Sequence, residues 1–451
     1  MEHILLLYLS ASALSRINLK QAFRIKQCLS VLKLNETQCE ELLRLEDVKA
    51  DDLKKTSDAL IDARLGVEYA AGTILVFLLS QYLVKYGVKH AALLCLIGSW
   101  LANALIYITI YFVEVDTSFT FLAAVPLAVS GGEILMSTIT CTHIGTSSIG
   151  NARRWRFVCY QFCLLFPEMV AQTLDVYLLS AADHRYIGLW AMGILSAAVI
   201  LSFFFSEVYA EGFESHSVKQ RIKCSMGLVS LNETIMCFTR KRPCRGRIQL
   251  CLLICFLSTV PFYFDFFSEV RAAFMSDSFG WDSTQFARVS LVALGFSYLF
   301  GVIVSTVLTR CVRPLDPTVA VFGFACLAFS FVFLLNTVFT VICYYGAVTL
   351  LTMPILGLAA LRSHLCQLVE KAEIAPIFAL ICASERISHV VANRLWKLII
   401  VLNRPHLSFV VVSVSQLVYT MIPFYGSSFM VSTTRDYGYP AHIYNPPLVV
   451  F

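Results

Sequence analysis

The sequence predicts an all-α polytopic membrane protein with about twelve transmembrane helices in two groups of six, and three observations carry that prediction. Of its 451 residues 58% are hydrophobic and 14% charged, and the mean hydropathy is +0.72, values that do not fit a soluble surface. Apolar runs of membrane-spanning length recur at regular spacing along the chain. Near the middle, from Glu207 to Arg247, a polar stretch interrupts them, with eight Lys or Arg residues between Lys219 and Arg247. A basic run flanked by membrane-length segments is held on the cytosolic face, where it need not cross and can meet anionic lipid. It reads as a solvated joint between two halves.

Residues 4–14 are apolar but fall short of the ~20 residues a spanning helix takes. They fit either the core of a signal peptide or a first membrane helix that continues amphipathically through Ile17, Leu19 and Phe23; the absence of Lys or Arg ahead of them favours the helix. Residues 28–62 form the first large polar loop, which holds the sequon Asn35-Glu36-Thr37 between Cys28 and Cys39. A glycan on Asn35 and a bridge between the two cysteines would both belong on the luminal or extracellular side. A second sequon, Asn232-Glu233-Thr234, lies in the basic stretch and is silent if that stretch is cytosolic. The remaining spans fall at about 66–84, 90–113, 119–141, 157–180 and 187–208, then 248–270, 287–309, 318–337, 340–361, 374–401 and 407–430. Pro126, Pro167, Pro261, Pro354 and Pro376 lie within them, as bundled membrane helices tolerate.

Loop charges test that count. Loops assigned to the cytosol carry Lys85 and Lys89, then Arg153, Arg154 and Arg156, then Arg310 and Arg313, then Arg362 and Lys371. Loops assigned outside carry Glu114 and Asp116, Asp183 with Arg185, Asp277 and Asp282, and the lone Arg404. The alternation follows the positive-inside rule and puts both termini in the cytosol. The expected organisation is a six-helix half over residues 1–208, a basic cytosolic linker over 209–247, a second six-helix half over 248–431 and a cytosolic tail over 432–451. Such a plan is that of the major facilitator superfamily, whose halves rock about a site near the membrane midplane.

Other classes find little support. The net charge of +5 sits in short loops and reports orientation rather than nucleic-acid binding. Most of the sixteen cysteines lie in apolar runs, such as Cys95, Cys159, Cys163, Cys251 and Cys255, where Cys acts as a small hydrophobe. No paired C-x-x-C at zinc spacing, Walker loop, H-E-x-x-H or G-x-S-x-G is present, so neither a metal, a cofactor nor an enzyme activity is expected.

The segment Arg362-Ser363-His364-Leu365-Cys366-Gln367-Leu368-Val369, followed by Glu373-Ile374-Ala375-Pro376-Ile377-Phe378-Ala379 and Glu385, carries a family resemblance. With Gly131-Gly132, the later Arg153 and Arg156, Trp281-Asp282 and the sequon loop ahead of Cys39, it resembles solute carrier family 46, which includes the proton-coupled folate transporter and the thymic stromal cotransporter. The resemblance spans almost the whole chain and implies a transporter glycosylated in its first loop. Departures accompany it. The superfamily's gating motif survives only as Val84-Lys85-Tyr86-Gly87-Val88-Lys89 and lacks its Asp, and Gln161 stands where the family has a proton-linked Glu. Thr146, Gly280 and Tyr263 also replace usual residues, so neither folate specificity nor the family's proton path carries over.

Charges inside spans are functional candidates because burying them in a bilayer costs a few kcal/mol. Asp265 and Glu269 in the seventh span lie four apart and share a helix face, with Arg271 just beyond. Such a pair could raise one acid's pKa enough to carry a proton. Glu168, after Pro167, could replace the acceptor missing at Gln161, with Asp175 two turns further on. Glu133 is a buried acid expected to pair with a base. Arg362, read as the end of the tenth span, could hold an anion bidentately or merely anchor the helix. Glu385 and Arg386 lie deeper in the eleventh span, on a stripe continued by Arg394 and Lys397. His143 and His389 are candidate titrating groups. The expected function is a secondary active transporter of a small organic, anionic solute working by alternating access, with protons as the candidate coupling ion. A non-transporting membrane receptor or scaffold is the alternative, favoured by the eroded gate and Gln161. Plasma and endolysosomal membranes both remain open.

Overall fold

The computed structural model describes residues 1–29, 38–39, 48–112, 119–181, 184–204, 228–240, 242, 246–281, 283–308, 316–335 and 341–402. Among the described residues the regular structure is helical throughout. In chain order the helices are α1 (Glu2–Gln27), α2 (Val48–Tyr86), α3 (Lys89–Tyr111), α4 (Thr120–Ser130), α5 (Gly132–Ser147), α6 (Gly150–Ala181) and α7 (His184–Phe203). After these come α8 (Leu228–Thr239), α9 (Gly246–Phe279), α10 (Ser283–Val307), α11 (Asp316–Leu335), α12 (Val341–Leu351), α13 (Pro354–Leu368) and α14 (Ile374–Leu402). Among the described residues eight stretches are long and apolar enough to cross a membrane: Ala59–Tyr86, Lys89–Tyr111, Thr120–Ser147, Tyr186–Phe203, Gly246–Phe264, Arg288–Val307, Val341–Leu368 and Lys371–Ala392; Thr318–Leu334 is a shorter apolar helix. The expected last span, 407–430, lies outside the described residues, as does Asn35.

The described residues form two compact units. One comprises Met1–His143, Cys163–Thr234 and Ala375–Val390, the other Ile144–Phe162, Ile235–Ile374 and Val391–Phe451. In the first, α1 is a 26-residue helix packed in the bundle, chiefly against α7. Leu19, Ala22 and Phe23 of α1 join Ala102, Ile106 and Ile110 of α3 and Ala123 and Leu127 of α4 in one cluster. The Lys26 ammonium donates to the carbonyls of Thr109 and Phe112, capping the end of α3 with a cation, as the helix dipole favours. The C-termini of α1 and α3 therefore share one end of the bundle. Lys89 at the start of α3 donates to the Phe203 carbonyl at the end of α7, so α7 runs the opposite way. Both directions agree with counting spans from the loop charges. Cys28 and Cys39 are bridged, with 5.8 Å between their Cα atoms.

The side-chain pattern is that of a bundle in lipid. On α3 the buried face is mostly small, with Ala91, Ala92, Cys95, Gly98, Ser99 and Ala102, whereas Leu94, Ile97, Leu101 and Ile108 point outward. Lipid supplies no hydrophobic drive between helices, so close backbone approach through small residues has to hold them together. Gly98 is the tightest case: a Cβ there would sit 2.3 Å from the Ser130 side chain and 2.9 Å from the Pro126 carbonyl. Gly98→Ala is therefore expected to destabilise the protein by about 1–3 kcal/mol, read as a lowered melting temperature in detergent; an unchanged melt would show that α3 and α4 separate at no cost.

The span 119–141 is not one helix. It breaks at Gly131 and Gly132, whose φ values of 76° and 47° lie in the left-handed region that glycine adopts without strain. Pro126, five residues earlier, is accommodated inside α4 without ending it. The span expected at 340–361 has a milder irregularity at Thr352 and Met353, where three-residue turns lead into Pro354 with Met353 still in the right-handed helical region, and it continues to Leu368. The two interrupted spans match in proportion: α4 and α5 have 11 and 16 residues, α12 and α13 have 11 and 15. Each break also receives a glycine from the preceding helix, Gly98 of α3 against Ser130 and Gly323 of α11 against the Met353 carbonyl, 2.8 Å from the added Cβ. A glycine of the preceding helix thus lies against both positions, six predicted spans apart, although the backbone departs from the helix in different ways.

Two arginines of the basic linker bond acids ahead of α14, Arg242 from a largely buried position and Arg240 from an exposed one. Beyond α8, Arg240 bonds Glu370 and Glu373 at 2.9 and 3.2 Å. Arg242 bonds Glu373 at 2.7 Å and the Leu368 carbonyl at 2.9 Å. Glu373 also closes a capping box with Glu370 ahead of α14, which orients its carboxylate toward both arginines.

Candidate functional site

The interruption at Gly131 marks a place to look for a site, because irregular backbone inside a membrane-length span is tolerated only where protein or water satisfies it. At the first break, Cys95 donates its S–H to the Gly132 carbonyl at 3.1 Å. Gly132 has no side chain, and a Cβ there would lie 3.1 Å from Oε1 of Glu68, so glycine leaves that carboxylate its room. Beside the break lies a cavity of ≈ 40 Å³ lined by α1, α2, α3, α4, α5 and α7 of the first unit.

Helix periodicity places its polar groups. Tyr8, Ser12 and Ser15 follow at four- and three-residue steps on one stripe of α1, with Arg16 beside them. Arg64 and Glu68, four apart on α2, share a face that turns inward. Ser99 of α3 donates to the Tyr8 hydroxyl at 3.3 Å. Glu133, the second residue of α5, is only 6% exposed and meets Arg386 of α14, whose guanidinium donates to Oε1 at 2.5 Å; Tyr69 donates to Oε2 at 3.5 Å. Burying charge is costly unless it is paired, and for Glu133 Arg386 supplies the partner. Arg64 is 7% exposed, and its Nε finds no hydrogen-bond partner among the described residues.

A second buried cluster lies in the other unit. Arg154 near the start of α6 approaches Asp316 at the start of α11 to 2.5 Å, close as an ion pair though not aligned as a hydrogen bond. Gln367 donates to the same carboxylate at 3.3 Å. Arg362 does not end its helix; α13 runs six residues further, leaving Arg362 1% exposed with its guanidinium 5.2 Å over the Tyr160 ring. At the second break Thr352 donates to the Ser297 carbonyl at 3.2 Å, and Ser290 and Tyr344 share a hydrogen bond of 2.8 Å.

Of the residues singled out from sequence, the structure brings Arg386 to Glu133, beside the first unit's cavity. Glu385 is its half-buried neighbour on α14. Gln161 is buried on α6, with its amide nitrogen lacking a partner among the described residues. Asp265, Glu269 and Glu168 sit on α9 and α6, and their side chains lie outside the described residues. Arg16, Arg64, Glu68, Tyr8 and Tyr69 were not anticipated. Their signal was available: an Arg within the polar stripe of the first helix, and an Arg and a Glu four apart entering the second. Among the described residues no group of His, Cys, Asp and Glu is placed to hold a metal.

The sequence matches no family model and no curated protein sequence. Solved structures match over nearly the full length. They include the human organic anion transporter MFSD10 (TETRAN), 13% identical with a TM-score of 0.66, covering 94% of this chain and 97% of that one. The major facilitator superfamily transporter FucP in its outward conformation is 12% identical with a TM-score of 0.62, again covering 94% and 97%. The proton:xylose symporter XylE bound to 6-bromo-6-deoxy-D-glucose is 10% identical with a TM-score of 0.57, covering 94% of each chain. The fold is thus that of the major facilitator superfamily, in a multi-pass integral membrane protein.

Proposed function

We propose that the chain is a secondary active transporter that moves a small organic anion across its membrane by alternating access, coupled to protons, as a divergent relative of solute carrier family 46. The observation that carries this reading is the buried charge cluster at the α4–α5 interruption: Arg64, Glu68, Glu133 and Arg386 gathered where backbone is unwound. The second interruption, at Thr352 and Met353, gives the two-half plan its counterpart. The buried Arg64, which makes no ion pair among the described residues and lines the cavity, favours an anion, and the solved neighbour MFSD10, an organic anion transporter, supports that choice. In this reading both termini and the basic linker are cytosolic and the Asn35 loop is external. Two buried pairs, Glu133–Arg386 and Arg154–Asp316, each join a helix ahead of the linker to one beyond it, so alternating access would require both to open.

Counterflow in proteoliposomes tests the proposal. A panel of labelled mono- and dicarboxylates is expected to include at least one that exchanges, faster with an acid exterior, and Asp265→Asn or Glu168→Gln is expected to blunt that pH dependence. Binding of a panel member without any exchange would instead identify a receptor that keeps the transporter fold.

A further inference from the structure

We infer that the α1–α2 side of the first unit's cavity seats the solute's charged end, an ionised monocarboxylate held by the guanidinium groups of Arg64 and Arg16; this deepens the transport reading and rests on it. Charge is the first argument. The cavity's charged lining is Arg16, Arg64, Glu68 and Glu133, and Glu133 is bonded to Arg386 outside the lining. Arg64 is buried and makes no ion pair or hydrogen bond among the described residues, and burying an unpaired charge costs several kcal/mol. A bound monoanion compensates the Arg64 charge, whereas an amine would add to it and a phosphate monoester, carrying close to two negative charges, would overshoot it.

Geometry is the second argument. Arg64 is buried, lines the cavity and keeps its Nε without a hydrogen-bond partner among the described residues, so a donor of the planar guanidinium fork is unused. That fork matches the two oxygens of a carboxylate. A volume of ≈ 40 Å³ holds about three waters at ~10–15 Å³ each, room for a planar charged head and little more. Ser12, Ser15 and Asn103 supply further donors, while Leu65 and Ile106 offer apolar wall to the adjoining carbon.

The test uses the full-length protein purified in detergent, with acetate and benzoate as probes, benzamide as the uncharged isostere of benzoate, and chloride and inorganic phosphate as simple anions. At least one carboxylate should raise the melting temperature saturably, and benzamide, chloride and phosphate should not. Arg64→Gln should weaken that carboxylate about tenfold or more, the loss of a charge-assisted bond. Glu68→Gln should tighten it about threefold to tenfold, because one negative charge leaves the cavity wall. That gain cannot come from misfolding, so it decides the matter if the Arg64 variant does not fold. Equal stabilisation by benzamide or chloride, unaltered binding in a folded Arg64→Gln protein, or weaker binding in Glu68→Gln would each overturn the assignment. Carboxylate binding without flux would sink the transport reading and leave the subsite standing; flux indifferent to Arg64→Gln would do the reverse.

Discussion

Arg386→Leu should destabilise the protein by about 3–5 kcal/mol, the cost of leaving a buried charge without its partner. Glu133 is 6% exposed, and its remaining bond, from Tyr69 at 3.5 Å, is long. A hydroxyl at that distance cannot replace a guanidinium at 2.5 Å. Adding Glu133→Gln to the Arg386→Leu protein should recover most of the loss, since a neutral amide costs far less to bury than a carboxylate. Arg386→Lys should fall between, because an ammonium restores the charge without the planar fork. Melting in detergent across the double-mutant cycle measures the coupling, expected to exceed ~1 kcal/mol for groups in direct contact. An additive cycle would mean that water already compensates Glu133 and that no tight pair forms there.

The fold was legible because its signal is redundant. Each span needs only length and apolarity, so an error of a few residues at either end, such as starting the second span at 66 when the apolar stretch begins at Ala59, leaves the architecture intact. For the site the same error is decisive. Bounds of 28–62 for the loop and 66–84 for the span leave Arg64 between them and separate it from Glu68, although the two are one turn apart on one helix. The break in the fourth span was hidden for a related reason: Pro126 draws attention as a helix breaker, yet α4 passes through it and ends at Gly131, whose left-handed backbone sequence alone does not reveal. Arg362 illustrates the opposite failure. It was read as a helix-end anchor, and its burial over Tyr160 depends on α6, a helix about two hundred residues away in sequence. Glu133 was the easier case, because an acid among Gly and apolar neighbours must find a base, and only the identity of that base needed the fold.

Asp316→Arg should prevent accumulation of folded protein, and the exchanged pair Arg154→Asp with Asp316→Arg should restore it. Both side chains are buried, at 7% and 6% exposure, and lie 2.5 Å apart, so a second cation at residue 316 would meet Arg154 with no solvent to screen them. The exchange keeps the attraction, and Gln367, which now donates to Asp316, can turn its amide and accept from an arginine instead. The exchanged protein should therefore melt within about 1–2 kcal/mol of the original, a hydrogen bond's worth of mismatch. Asp316→Asn separates holding the fold from closing a path. It keeps the shape and removes the attraction, so if α6 and α11 part during transport, opening there becomes easier. Cys366, buried on α13 in the same unit, reports that opening through its alkylation, followed residue by residue by peptide mapping. Its rate should rise about tenfold, corresponding to ~1.4 kcal/mol less resistance to opening. An unchanged rate, together with a failed exchange, would make Arg154 and Asp316 a fixed structural pair that does not part.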